Sequence, residues 1–592
     1  MMESLDHPGD GQVTEAGSRL VDHEEPVTAP SSARRGWVTS PVQQGLIALA
    51  IYLAAWLTTS ARPLISHPGQ AQLDQASMDP NFYAWCLRWW PYAIGHGLNP
   101  LYTHQIGAPV GFALAWVTTI PPLALLATPL TLTAGAVVSF NLLTAIAMPV
   151  SGWAAFVLCR RFTHRFWPAL IGGFVYGFSA YEMNHDAAGQ LNLAFSLLLP
   201  IMAYLVLQWW DENIKTRTFV ILLGITMAAQ FYLFLETFAD LTALLAIALL
   251  IGFALAGRDA RPAVARLSKF IGLAYLVTIV LALPYLAAML TKKTPQQAHV
   301  SGLDLASLVI PRPGRTLGLG WLAHAANGPV QASAAGYVGI PLLAVAILLA
   351  VTTWSSKITR FLSCMLIIVV VASLGPSVYL GGHKEFGLPW ARLWSLPIVR
   401  NAYPSRLMLF GYLLLAVITA VWLAAPSKRR LIRWPLALLI VAAVVLDSIP
   451  LIIAPASNLP TFISQGNYRR NLSPHEIVVV VSTTGNAGML WQVESDFYMR
   501  LAGGYVNQAI TSRTDLPPQV QALSHYSPQA VQNFEAYVRS ARIGAILVDA
   551  NQEPLWVGIF LRIGLKGERI GGVLVYQLHH CRTCRAAVPP HS

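Results

Sequence analysis

Long apolar runs separated by short polar or basic stretches set the pattern of the chain. They lie near 42–60, 135–158, 167–181, 189–209, 217–233, 237–256, 269–290, 334–354, 358–375, 405–425 and 434–454. A helix needs roughly 20 mostly apolar residues to cross the hydrocarbon of a bilayer, so the pattern predicts a mainly α, polytopic helical membrane protein with about eleven spans. The shorter runs, 167–181 and 217–233, must borrow flanking residues or thin the bilayer. The run at 119–131 is apolar too, but Pro121, Pro122 and Pro129 punctuate it. It reads as an outer-surface or partly inserted helix instead of a span. Beyond 454 the pattern changes. HEIVVVV (475–481), GAILV (544–548) and VLVYQL (573–578) read as buried strands, with helical stretches near 487–500, 527–541 and 554–563. The expected organisation is a disordered cytoplasmic tail at 1–36, a transmembrane unit at 37–454 with a long outer loop at 61–134, a small extracytoplasmic α/β domain at 455–578 and a tail at 579–592.

Composition supports the bilayer. Of 592 residues, 55% are hydrophobic and 11% charged, with mean hydropathy +0.53, against about 25% charged in a soluble domain. The formal net charge of +12 would suit nucleic acid, but the cations sit between apolar runs and form no single patch, which is a topology signal. Arg34, Arg35, Arg160, Arg161, Arg165, Lys215, Arg217, Arg258, Arg261, Arg266, Lys269, Lys357, Arg360, Lys428, Arg429, Arg430 and Arg433 fall in alternate, mostly short connections. The bias places the N-terminus inside and everything after about 455 outside. Residues 1–36 are polar and acidic, without the apolar core of a signal peptide. The five cysteines make no disulfide framework. Cys581 and Cys584, after His579 and His580, leave metal, redox and cross-linking readings open.

Candidate chemistry gathers at the outer edge of the membrane. In LDQASMDPNFYAWCLRWWPYAIGHGLNPLYT (73–103), Asp79 precedes Pro80, as suits the start of a helix. Phe82, Tyr83, Trp85, Trp89, Trp90 and Tyr92 then read as an aromatic belt in the headgroup layer. Asp79 reads equally as a plain helix cap. Tyr181, Glu182, Asn184, His185, Asp186 and Gln190 crowd a short outer turn, where Glu182, His185 and Gln190 suit sugar hydroxyls or proton transfer. A solvated loop is the other reading. Glu236 and Asp240 share one helical face at the outer mouth, suited to an acceptor. Arg312 and Arg315 in VIPRPGR, with Arg400 and Arg406 in LPIVRNAYPSR, are candidates for phosphate, which the guanidinium fork binds through two parallel hydrogen bonds. Arg406 also suits snorkelling to headgroups.

The 73–103 segment resembles the first outer loop of the GT-C superfamily, multi-span glycosyltransferases that use polyprenyl-phosphate sugars, among them protein mannosyltransferases. The likeness continues through the proline-rich TTIPPL (118–123) and the helix ending CRRF (159–162), and covers roughly 40–260 in order and character. DLASLVIPRPG and LPIVRNAYPSR are similar to bacterial membrane proteins of the YfhO type, and MLWQVESDFYMRLAGGY (489–505) is similar to their outer domain. The resemblance implies an inverting transferase that moves a hexosyl or pentosyl group from a polyprenyl-phosphate donor to a cell-envelope glycan, lipid or protein outside the bacterial inner membrane. It implies Asp79 as the catalytic carboxylate, with Asp74 second. Many members carry two adjacent acidic residues where this chain has Asp79-Pro80. No metal ligands are assigned, no cofactor is certain, and a divalent metal stays open. A lipid or polysaccharide flippase or transporter, or a catalytically silent envelope-assembly protein, are the alternatives. The implied partners are membrane lipids, the lipid-linked donor and the acceptor, with no nucleic acid.

Overall fold

A computed structural model describes residues 40–60, 71–73, 79–290, 302–310, 336–395, 402–426, 430–446, 453–455, 459–482, 486–505 and 516–578. Asp74, Arg312, Arg315, Arg400, Cys581 and Cys584 lie outside the described residues.

Each apolar run forms a helix, but the expected count of spans is corrected. Among the described residues six helices are long and apolar enough to cross a membrane: Ala136–Thr163, Leu191–Trp210, Thr216–Leu233, Leu235–Leu255, Arg261–Leu290 and Pro404–Ala424. Shorter apolar helices cover Pro41–Leu57, Phe166–Gly177, Ile340–Thr353 and Arg433–Ala443. The 12 residues of Phe166–Gly177 rise only about 18 Å, well short of a hydrocarbon core of about 30 Å. That helix packs instead on its neighbour through glycine. A Cβ on Gly177 would stand 2.5 Å from the Cα of Gly152, and one on Gly173 would stand 2.5 Å from the Gly152 carbonyl oxygen, so only small residues let these backbones meet. The 119–131 run breaks into Pro121–Leu126 and Thr128–Ala134, too short to span.

One end of the bundle is basic. Arg161 pairs with Asp211, while Arg165 donates to the Ala424 carbonyl (3.1 Å) and Arg433 to those of Trp422 (2.8 Å) and Ala425 (2.6 Å). The two latter arginines satisfy open carbonyls at a helix C-terminus, where cations are favoured. Asp79 and Arg406 sit at the opposite end, because Arg406 begins the helix that Ala424 ends.

The C-terminal domain is a five-stranded mixed sheet in the order Glu568–Ile570, Val573–Gln577, Ile543–Asp549, Ile477–Val481, Arg500–Leu501. Ile477–Val481 runs parallel to both neighbours, with Val478 opposite Ala545 and Val481 opposite Val548. The remaining pairs are antiparallel. The unbroken VVVV follows from burial on both faces. Ile477, Val479 and Val481 face Phe534 and Phe560 of the domain's own helices Pro528–Ala541 and Glu553–Arg562. Val478 and Val480 join the core that holds Phe82, Trp85 and Trp89.

This corrects the aromatic belt. On the helix Asp79–Gly95, Phe82, Tyr83, Trp85, Trp89 and Trp90 are buried inside the protein, with Phe82, Trp85 and Trp89 against the C-terminal domain, and do not line a headgroup layer. Trp85 stacks on Trp89, and Phe497 meets both rings edge-on. Arg88, at the margin, pairs with Asp496 at 2.7 Å. The strand Ala71–Leu73 pairs antiparallel with Ile453–Pro455, so the chain leaving the first helix and the chain entering the domain lie side by side.

Candidate active site

Asp79 is the first residue of its helix, half-buried, with its carboxylate at the positive end of the helix dipole. Its main partner comes from 111 residues away: the Gln190 side-chain amide donates to Asp79 Oδ2 at 2.6 Å. An ionised carboxylate only accepts, so the amide NH₂ faces Asp79 and Gln190 Oε1 faces His185 Nδ1, at 2.5 Å. His185 Nδ1 therefore carries a proton and donates to Gln190 Oε1. The result is a directed chain, His185 to Gln190 to Asp79.

Local backbone chemistry builds this chain. The segment expected as a turn or solvated loop is a buried helix, Ala180–Ala187, whose N-cap Ser179 accepts from the Glu182 N–H. The helix ends at Gly189, which has φ +66°, a conformation glycine adopts without steric cost. The Gly189 N–H returns to Asp186 O and the Gln190 N–H to His185 O, both at 2.9 Å, which brings Gln190 back beside His185. Gly189 also lies against Pro80, and a Cβ there would meet Pro80 Cγ at 2.7 Å. A second tie holds the same two segments: Tyr83 OH, one turn beyond Asp79, donates to Asn192 Oδ1 at 2.6 Å.

Behind the chain sit two buried carboxyls. Glu182 is fully buried and accepts from Ser196 Oγ; Asp186 is 2% exposed and accepts from the Trp56 indole N–H at 3.3 Å. Burial pushes Glu182 well above the usual carboxylate range, with Ser196 opposing and Asp186 adding. Burial raises Asp186 to about 7 against the opposing Trp56 bond. Both groups favour the protonated state, which suits structural or proton-holding roles better than anion pairing.

The second part of the site is cationic. Arg406 pairs with Glu236, whose other oxygen accepts from the Tyr403 N–H at 2.7 Å. The guanidinium lies over the rings of Tyr403 (4.3 Å) and Phe234 (5.2 Å). Asp240 follows one turn after Glu236 on the same helix. Both parts act on Tyr83. Burial holds the Tyr83 hydroxyl well above its usual range; the Asp79 carboxylate adds to this and the Arg406 guanidinium opposes it. From the C-terminal domain, Tyr505 OH donates to Asp79 Oδ1 at 3.3 Å; the sequence, which places Tyr505 at the end of the 489–505 segment, gives no catalytic residue in that domain. Among the described residues no three His, Cys, Asp or Glu side chains converge as a metal ion requires. Asp304, in DLASLVIPRPG, is a structural residue: its carboxylate accepts from the N–H groups of Ala306 (2.9 Å), Gly381 (3.0 Å) and Gly382 (2.6 Å).

Comparison with known proteins bears on the fold. The archaeal oligosaccharyltransferase AglB from Archaeoglobus fulgidus, solved with an inhibitory peptide and a dolichol-phosphate, is similar at TM-score 0.52 and 12% identity, over 93% of this chain and 76% of that one. The arabinofuranosyltransferase AftD from Mycobacteria is similar at TM-score 0.55 and 14% identity, over 91% of this chain but 40% of that one. At these identities the likeness is one of fold alone. No curated protein matches the sequence. The model of a family described as a domain of unknown function (DUF6311) matches residues 47–449; it carries no statement about the YfhO type. With most of its length inside that match, the chain belongs to the DUF6311 family.

Proposed function

We propose that this protein is a glycosyltransferase that moves one sugar from a polyprenyl-phosphate donor to an acceptor at the outer face of the cytoplasmic membrane, in assembly of the cell envelope. The observation behind this reading is Asp79: a half-buried carboxylate at a helix start, bonded by Gln190, which in turn bonds His185, in a GT-C-like fold where Asp79 and Arg406 both act on the Tyr83 hydroxyl. Asp79 acts as the general base. As the acceptor hydroxyl oxygen bonds to the anomeric carbon, its proton passes to Asp79; the bond from that carbon to the phosphate oxygen breaks, and the phosphate leaves with the electron pair. One displacement inverts the anomeric configuration. Arg406 stabilises the charge that develops on the phosphate, where a site partly closed to water makes such stabilisation strong. Glu236 holds Arg406 in place, and Asp240 beside it offers an acceptor-binding carboxylate. Asp74, Arg312, Arg315 and Arg400 are further candidates for the same roles.

The placement of basic residues supports the orientation. Arg161, Arg165 and Arg433 gather at the end of the bundle opposite Asp79, which the positive-inside rule assigns to the cytoplasm. The site and the C-terminal domain then lie outside. AglB was solved with a dolichol-phosphate, and this supports the donor class. The reading is tested by incubating purified protein with radiolabelled polyprenyl-phosphate sugars and determining the anomeric configuration of the product by NMR. Transfer with inversion is expected. Retention, or no transfer from any polyprenyl-phosphate donor, contradicts the proposal.

A further inference from the structure

The C-terminal domain is joined to the first outer loop by more than apolar contact. Gln492, fully buried, accepts from the Trp85 indole N–H at 2.8 Å and donates to the carbonyls of Gln105 (2.7 Å) and Met499 (2.9 Å). The edge strand Arg500–Leu501 continues into the loop: the Leu501 N–H donates to Gln105 O (2.8 Å), the Ala108 N–H to Leu501 O (3.0 Å) and the Gly107 N–H to Gly503 O (2.9 Å). Gly504, at φ +123°, passes so close that a Cβ would stand 3.0 Å from Ile106 Cβ. The next residue is Tyr505, set edge-on against Phe82 with ring centroids 6.0 Å apart. Its hydroxyl reaches Asp79 Oδ1, while Gln190 holds Oδ2. Two donors, one on each oxygen, constrain the plane of the carboxylate.

The geometry points to a part for the C-terminal domain inside the site: Tyr505 is a positioning residue that, with Gln190, orients the Asp79 carboxylate, and the site is complete only when the domain is docked. This rests on the reading of Asp79 as the base. At 3.3 Å the contact is long for O–H···O, as such contacts often are before substrate binds. Among the described residues, the titratable or charged groups around this contact include Tyr83 of the Asp79 helix, Arg406 (which acts on Tyr83), Tyr403 (which acts on Tyr505) and His185 through Gln190.

The test uses the full-length chain in lipid nanodiscs, as wild type, Tyr505→Phe, Gln190→Leu and Tyr498→Phe. The last removes a hydroxyl of the same domain that bonds the Leu472 carbonyl. Carbodiimide modification of Asp79, followed by mass spectrometry against pH, reads its protonation without needing activity; kcat against pH is measured alongside. A hydroxyl that donates to the carboxylate favours the ionised form, so Tyr505→Phe moves the modification midpoint up by roughly 0.5–1 pH unit, and the acid limb of kcat moves with it while KM is unchanged. Gln190→Leu, which does not touch the domain interface, moves the midpoint the same way; Tyr498→Phe does not move it. A midpoint in Tyr505→Phe equal to wild type, in protein that transfers sugar, overturns the positioning role and leaves the base. A shifted midpoint in a chain that transfers no sugar sustains the positioning contact and overturns the base.

Discussion

Gly189 gives the sharpest test of how the site is built, because it makes no contact with substrate in the proposed mechanism and yet sets where Gln190 stands. In Gly189→Ala two costs combine. A non-glycine residue in the left-handed region costs about 1–2 kcal/mol, and the new Cβ would stand 2.7 Å from Pro80 Cγ and 3.1 Å from Phe140 Cζ. Neither neighbour is the loose end of a flexible side chain, and overpacking of this kind costs about 1–3 kcal/mol. Relieving the contact moves the turn or the start of the Asp79 helix by about 1 Å, and a misplacement of that size costs on the order of 10²-fold in rate. The expected result is a thermal midpoint lowered by several degrees, read by tryptophan fluorescence in detergent, and sugar transfer reduced about a hundredfold with the donor KM little changed. Wild-type transfer and stability in Gly189→Ala would refute the argument that this turn holds Gln190 on Asp79.

Other expectations follow from the same contacts. Arg406→Gln leaves Glu236 largely buried without its cation, which costs about 2 kcal/mol or more; adding Glu236→Gln restores the thermal midpoint but not transfer, since the phosphate partner is still missing. The Asp186 carboxyl, raised by burial to about 7, titrates near 4 when unfolded. Between those values the folded chain holds a proton that the unfolded chain releases, so stability falls as pH rises through that window. Asp186→Asn removes its share of the slope, at most about 1.4 kcal/mol per pH unit, in thermal midpoints measured from pH 4.5 to 7.5; an unchanged slope would refute the assignment. Gln492→Leu strands the Trp85 N–H in a dry interface at about 1–3 kcal/mol and takes one donor each from the Gln105 and Met499 carbonyls; limited proteolysis should release the C-terminal domain faster than from wild type.

The helices were legible in the sequence because each apolar run dictates its own local structure, and the strands of the C-terminal domain because VVVV is too apolar to face water on either side. Span count was less legible. Phe166–Gly177 reads as a run that needs extra length, whereas Gly152, Gly173 and Gly177 let it remain short and pack closely. The aromatics of 82–92 misled for a related reason: one amphipathic surface suits a headgroup layer and a protein partner equally, and the partner lies some 400 residues further on in sequence. The place before Pro80 marks Asp79 as a helix start, and only the resemblance makes it a candidate for the base. Its orienting groups could not be ranked from spacing, because Gln190 and Tyr505 reach it only through tertiary packing. Glu182, grouped with His185 and Gln190 in the sequence, turns away from them into a dry contact with Ser196.

The most direct measurement compares wild type and Asp79→Asn, each purified and matched for thermal stability, in transfer of radiolabelled sugar from polyprenyl-phosphate donors. The account predicts turnover by the wild type and a loss of about 10²–10⁴-fold in the variant, the scale of a general base removed from an intact site. Equal turnover by both proteins would contradict it, and would direct attention to His185, Glu182 and Glu236.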